Sequence, residues 1–174
     1  MKRRLKLLFD ADMSLAAYHL PLDAHPQVGN NALIARALEA HALEPFALHE
    51  GEPIGCIARF PGQGIEASAL FAQVANLTAR APLVFEAGPE RIGSLAIVSG
   101  AGAGYLSDAV AAGADAFLTG EPAERVMTEA QEVGIHFIAA GHYATETLGV
   151  RHLGEHLSER FGVAHAFIDV PNPI

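Results

Sequence analysis

His142 and Glu146 stand four residues apart in Gly141-His142-Tyr143-Ala144-Thr145-Glu146, directly after an apolar run over 135–140. On a helix that spacing points both side chains from one face. An imidazole and a carboxylate held that way can grip a divalent metal. A carboxylate in a first helical turn is also favoured by the helix dipole, with His142 merely closing the turn. The pair alone leaves both explanations open. Asp23 and His19 lie in Tyr18-His19-Leu20-Pro21-Leu22-Asp23-Ala24-His25-Pro26, and Glu121 lies in Thr119-Gly120-Glu121-Pro122. Asp23 is a candidate ligand or a side-chain turn former. Glu121 and His19 are candidate proton carriers, and a helix-capping role competes for Glu121. The other histidines read as structural: His25 before a proline, His136 inside a strand, and His152, His156 and His165 on surfaces. Cys56 has no evident base and no serine sits in a nucleophile elbow, so nucleophilic catalysis has no support.

The elements that must position these residues follow from the apolar pattern. Runs over 94–98, 115–118, 135–140 and 164–170 have strand length and alternate with helical patterns over 105–112, 123–133 and 143–160. Strand and helix in alternation with short links predict an α/β fold whose sheet is mostly parallel. Ligands of such sheets gather beyond the carboxyl ends of the strands. There lie the loop 99–104, with glycines at 100, 102 and 104, the Gly120-Glu121 turn and the Gly141-His142 turn. Tight turns explain those glycines as well as a phosphate cradle does, and their spacing is not the dinucleotide fingerprint. Upstream, residues 2–11 read as a helix with Leu5, Leu8 and Phe9 on one side. Residues 14–19 read as a strand, and the two prolines after it predict a loop. An Asn of Gly29-Asn30-Asn31 is expected to cap a helix over 32–40. Residues 44–87, with strands at 46–49, 56–60 and 83–85 and a helix over 65–77, are expected to form a smaller inserted subdomain. Residues 1–43 and 88–174 would then make the main domain.

The chain has 174 residues, enough for one sizeable core, and 51% of them are hydrophobic, with a mean hydropathy of +0.24. No stretch approaches the roughly 18 uninterrupted apolar residues that span a bilayer, and Lys6, Asp10 and Asp12 break any leader-like start. A cytoplasmic location without membrane contact is the expectation. The net charge is −9, and four of the eleven basic residues fall in the first six. Seven cations then face twenty acidic groups downstream, a poor balance for nucleic acid, whose affinity rests on phosphate neutralisation. A single cysteine excludes an internal disulfide and a thiolate-built zinc site.

The segment Tyr18 to Pro26 with Gly29-Asn30-Asn31, together with Gly141-His142-Tyr143-Ala144-Thr145-Glu146, resembles the YbgI-like, Nif-three-like dinuclear metal-centre proteins, often labelled GTP cyclohydrolase 1 type 2 homologues. Thr119-Gly120-Glu121 and the closing Phe167-Ile168-Asp169-Val170-Pro171-Asn172-Pro173 resemble them too, so the similarity runs over essentially the whole chain. The resemblance implies a three-layer α/β/α fold of two interleaved subdomains and a homohexameric ring. It also implies two divalent metals in a shared cavity, with Asp23 a terminal ligand, His142 a ligand, Glu146 bridging and His19 nearby. The identity of the ion is open among zinc, iron, manganese, magnesium and nickel. The family also uses two adjacent histidines ahead of the first motif; this sequence has no adjacent pair, as though the first third of a family member were absent. The reading implied is metal-assisted hydrolysis of a small-molecule substrate, possible for a GTP-cyclohydrolase-like enzyme. The alternative is a non-enzymatic metal-binding scaffold or partner-binding ring.

Overall fold

Apolar runs without alternation belong to strands covered on both faces, and the centre of this fold shows it. The computed structural model describes all 174 residues save the side chain of Ala42. Strand β6 (Ser94–Val98) lies parallel to β7 (Ala116–Thr119), and β7 parallel to β8 (His136–Ala139). Along them the side chains divide by period two. Leu95, Ile97, Leu118 and Ile138 face one core, while Ala96, Val98, Phe117 and Phe137 face the other. The first core is closed by α3 (Asn30–Ala37) and α4 (Ala67–Thr78), with Leu148 of α7 (His142–Phe161) against it. The second is closed by α5 (Leu106–Ala111) and α6 (Val126–Val133). The result is the expected α/β architecture of three layers. Phe117 and Phe137 are fully buried and meet edge to face with centroids 5.8 Å apart. Truncating either ring would cost about 3–5 kcal/mol.

The sheet is mixed rather than mostly parallel. Its order is β1-β2-β6-β7-β8-β4, and β1 (His41–His49), β2 (Glu52–Arg59) and β4 (Leu83–Phe85) all join antiparallel. These three strands come from the stretch 41–85, so that stretch contributes both edges of the same sheet. A short antiparallel pair, β3 (Ile65–Glu66) with β5 (Arg91–Ile92), lies apart from it.

Four local expectations are corrected. Residues 13–18 form no strand, and the proline-bearing segment after them is not a loop but the helix α2 (His19–Ala24). Pro21 is tolerated because it is the third helical residue, where a missing N–H costs no intrahelical bond, and Pro26 falls beyond the helix end. Neither Asn30 nor Asn31 caps α3: Gly29 is the cap residue, and both asparagines lie buried in the first turn. The carbonyls of Leu22 and His25 come so close to Gly29 that no side chain fits there. Residues 164–170 form no strand either. The segment lies instead against α7, where Tyr143 N–H donates to the Ile174 carbonyl at 2.9 Å, and it takes no place on a sheet edge. The expected helix over 2–11 is α1 (Lys2–Asp10), and none of its residues is buried. No helix among the described residues is long and apolar enough to cross a membrane.

Candidate metal centre

The loops leaving β6, β7 and β8 are laced together at their carboxyl ends. Gly120 and Glu121 N–H both donate to the Gly100 carbonyl at 2.9 Å, and Gly141 N–H donates to the Gly120 carbonyl at 2.9 Å. Gly100 has φ +65°, and a Cβ on it would run into the Glu146 carboxylate, with the His142 ring 3.1 Å away. Glycine is therefore what lets the backbone pass so near the acidic pair. The Gly100 N–H donates to Thr145 Oγ1 at 3.1 Å, and Thr145 in turn donates to the carbonyls of Gly141 and His142. Thr145 thus pins the first turn of α7 to the β6 loop.

Helix α2 brings the second pair. His19 and Asp23 are four apart on it, as His142 and Glu146 are on α7, so two imidazole–carboxylate pairs belong to neighbouring helices. Ligand atoms of His19, Asp23 and Glu146 all lie within 4.8 Å of one another, and His142 Nε2 is 3.1 Å from Glu146 Oε1. Donors about 2.1 Å from one metal are at most about 4.2 Å apart, so small side-chain adjustments bring this set to coordination distances. Two carboxylates and imidazole nitrogen suit a hard or borderline divalent ion. The fit is chemical as well as spatial.

The donors are held from behind. Asp23 is buried, and its Oδ1 accepts from Asn30 Nδ2 at 2.7 Å and Ser99 Oγ at 3.1 Å, while its other oxygen takes no hydrogen bond from a described residue. Asn30 Oδ1 accepts from Gly149 N–H at 2.7 Å, tying α3 to α7. Asn31 spans the Ile54 carbonyl at 2.6 Å, the Asp23 carbonyl at 3.2 Å and the Ser99 N–H at 2.8 Å. His142 Nδ1 bonds Glu121 and so leaves Nε2 facing Glu146. This is the carboxylate–histidine arrangement that fixes the ring of a metal ligand.

The electrostatics are coupled. Burial pulls the His142 pKa down, but the Glu121 hydrogen bond and the charges of Glu146 and Glu121 outweigh it and hold the imidazole above its ordinary value. Burial raises Glu146, with the Asp23 charge adding to it against the opposing pull of His142 and His19. His142 and Glu146 both lean toward their protonated forms, and a cation bound between them would displace those protons.

The structure therefore brings Asp23, His142 and Glu146 together, adds His19 to their immediate group and places Glu121 behind His142. Asn30, Asn31, Ser99, Gly100 and Thr145 were not anticipated as site residues. The adjacent asparagines next to the Asp23 segment and the expected position of the loop 99–104 at the sheet's carboxyl edge were the available signals; Thr145 carried none beyond lying between His142 and Glu146.

An α/β sheet with convergent imidazole and carboxylate donors at its carboxyl edge offers a group that could hold a divalent metal. The chain belongs to the Duf34/NIF3 (NGG1p interacting factor 3) family, whose sequence pattern matches residues 1–173. A Pseudomonas aeruginosa protein named GTP cyclohydrolase 1 type 2 homolog is 45% identical over 177 residues, covering 99% of this chain and 68% of its own length. A Deinococcus radiodurans protein of the same name is 40% identical, covering 97% and 64%. Among solved structures, protein ybgI, described as of unknown function, superposes with a TM-score of 0.89 at 38% identity over 98% of this chain and 67% of its own. A Thermus thermophilus protein gives 0.87 at 41%, over 99% and 67%. The chain spans about two thirds of these relatives.

Proposed function

We propose that this chain carries a divalent-metal site serving a metal-dependent hydrolase of the GTP cyclohydrolase 1 type 2 homologue kind. The observation that carries the reading is the clustering of His19, Asp23 and Glu146 ligand atoms within 4.8 Å, with His142 Nε2 3.1 Å from Glu146. His19, Asp23, His142 and Glu146 would hold the ion. A divalent metal bound there supplies positive charge that acidifies water and polarises an electrophilic carbon. The chain's own residues orient the donors. Asn30 and Ser99 fix one oxygen of Asp23 so that the other faces the cavity. Glu121 would keep the proton of His142 on Nδ1 and so leave Nε2 for the ion. Leu20, Ile54 and Val98 line the same cavity of about 260 Å³ and limit water on its apolar side.

Glu146→Gln tests the site. Metal content of the purified protein should fall to near background, and unchanged content would remove the assignment. Turnover assays with metal added then separate a hydrolase from the second reading, a non-enzymatic metal-binding scaffold. A homohexamer, which the family resemblance implies, belongs to the same proposal. The exposed apolar Phe9, Leu15, Ile168 and Val170 are consistent with self-association, and light scattering reads the mass directly.

A further inference from the structure

Farther along α7 stands a second group of metal-donor residues. His152, Glu155, His156 and Glu159 occupy positions i, i+3, i+4 and i+7, which share one face of a helix. That spacing usually writes an apolar stripe against a core, yet all four of these side chains are exposed. His152 lies about 15 Å along the helix from His142, so the two groups share no ligand.

The stripe has the chemistry of a chelate. Two histidines one helical turn apart can each bring a nitrogen to the same ion. His152 Nδ1 lies 3.4 Å from Glu155 Oε2, so the carboxylate draws the ring proton to Nδ1 and leaves Nε2 bare. His142 and Glu121 show the same arrangement. Glu159 follows His156 at the spacing that Glu155 has from His152. Neither nearby arginine competes for these carboxylates: Arg151 is turned to Phe167 and Asp169, and Arg160 lies over the Phe161 ring.

The neighbouring histidines do not belong to it. His25 borders the same groove as His156, but its Nδ1 accepts from the N–H groups of Gln27 and Val28 at 3.2 Å. Its proton then sits on Nε2, and it has no lone pair to give. His165 packs against Gly154, on the opposite side of the helix. The run His152-Leu153-Gly154-Glu155-His156 also spells the H-x-x-E-H signature of one class of zinc enzymes. The two ligands of that signature are present without its reaction, because Glu155 is engaged with His152 and the turn is exposed rather than enclosed in a cleft.

We propose that this face of α7 is a second, exchangeable site for a late first-row dication such as nickel, copper or zinc, held by His152 and His156, with Glu155 and Glu159 adding negative charge. Such ions bind nitrogen donors more tightly than manganese does. Unlike His19, Asp23 and Glu146, the four side chains are not drawn together, so the ion must order them itself. It is held more weakly than the proposed centre would hold it. The site does not rest on the hydrolase reading.

Nickel titration of the Glu146→Gln protein, read by competition with a coloured chelator, tests the proposal. That protein should bind one nickel equivalent that brief dialysis removes, and no comparable manganese. His152→Ala or His156→Ala added to it should each weaken nickel at least about tenfold, since loss of a ligand costs no less than loss of the group behind one. Moving the second histidine off the face, with His156→Ala and Leu157→His together, should not restore binding. These positions are exposed, and circular dichroism should be alike in all the variants. Nickel bound equally with and without His156, rescue by the displaced histidine, or no nickel on the Glu146→Gln protein would overturn it. Parent metal that survives His156→Ala but not Glu146→Gln, with no nickel left on the latter, keeps the centre and loses this site. Nickel lost with His156→Ala, in a parent that retains no metal after dialysis, keeps this site and loses the centre.

Discussion

Replacing Gly100 by alanine should act on the proposed metal centre without replacing a ligand. Two costs are involved, and the structure separates them. The first is conformational: φ +65° lies in the left-handed region, where a Cβ costs about 1–2 kcal/mol. The second is local crowding, since the new methyl would meet the Glu146 carboxylate and the His142 ring. Those groups must move aside, and displacement of what supports a metal ligand typically costs about 10–100-fold in affinity. Gly113 supplies the control. Its φ is +70°, and a Cβ there meets nothing within 4 Å, so Gly113→Ala carries the conformational cost alone. In urea unfolding Gly113→Ala should lose about 1–2 kcal/mol and Gly100→Ala more, since it adds the crowding to the same conformational cost. In a competition titration with a coloured zinc chelator, Gly100→Ala should bind metal about 10–100-fold more weakly while Gly113→Ala matches the parent. Equal metal affinity in the two variants would refute the placement of Glu146 and His142 against the β6 loop.

Asn30→Ala removes a 2.7 Å hydrogen bond to the buried Asp23 and strips Gly149 N–H of its acceptor; a loss of about 1.5–3 kcal/mol in urea unfolding, with weaker metal binding, is expected. Glu121→Ala leaves the His142 ring unheld, and because Glu121 is partly exposed the change should spare stability while lowering metal affinity about tenfold or more, read by the same chelator competition. Burial pushes the Cys56 thiol up to about 12 from an ordinary value of 9.0. Between those values the unfolded chain has lost the thiol proton and the folded chain keeps it, so stability falls as pH rises through that window, by up to about 1.4 kcal/mol per unit, and is unaffected below it. Unfolding curves of parent and Cys56→Ala from pH 8 upward should therefore converge in slope only below pH 9, and a thiol reagent at pH 8 should label Cys56 only after denaturation.

How far the sequence was legible depended on whether a segment's partners were close along the chain. Strand β6 was read to the residue, and β7, β8 and the long helices within a few, because both-face burial writes itself as unbroken apolar runs. The strand expected over 164–170 had the same apolar signature, but a strand needs an edge to pair with and this segment lies against Tyr143 instead. Helix α2 was hidden by its prolines, although Pro21 occupies a position where proline is harmless. That error concealed the spacing that matters most. Read as a helix, His19 and Asp23 repeat the four-residue grip of His142 and Glu146; read as a loop, His19 had no reason to join the ligands. Asn31 is a further case, since it holds Ile54 and Ser99, partners 23 and 68 residues away that no local pattern announces.

The charge of the proposed site predicts how many ions it would hold. Asp23 and Glu146 supply two carboxylates, and His19 and His142 supply neutral nitrogen. Together they balance one dication. Glu121 does not change the count, because its contact is with His142 Nδ1 on the side away from Glu146. A second dication would leave this chain's donor set two charges short and each ion with few protein ligands, a condition that favours weak, water-rich binding of the second. The chain should accordingly take up one tightly held equivalent of zinc or manganese, and any further equivalent should be removed by brief dialysis against a mild chelator. Two equivalents surviving that treatment would mean that donors beyond these four complete the site.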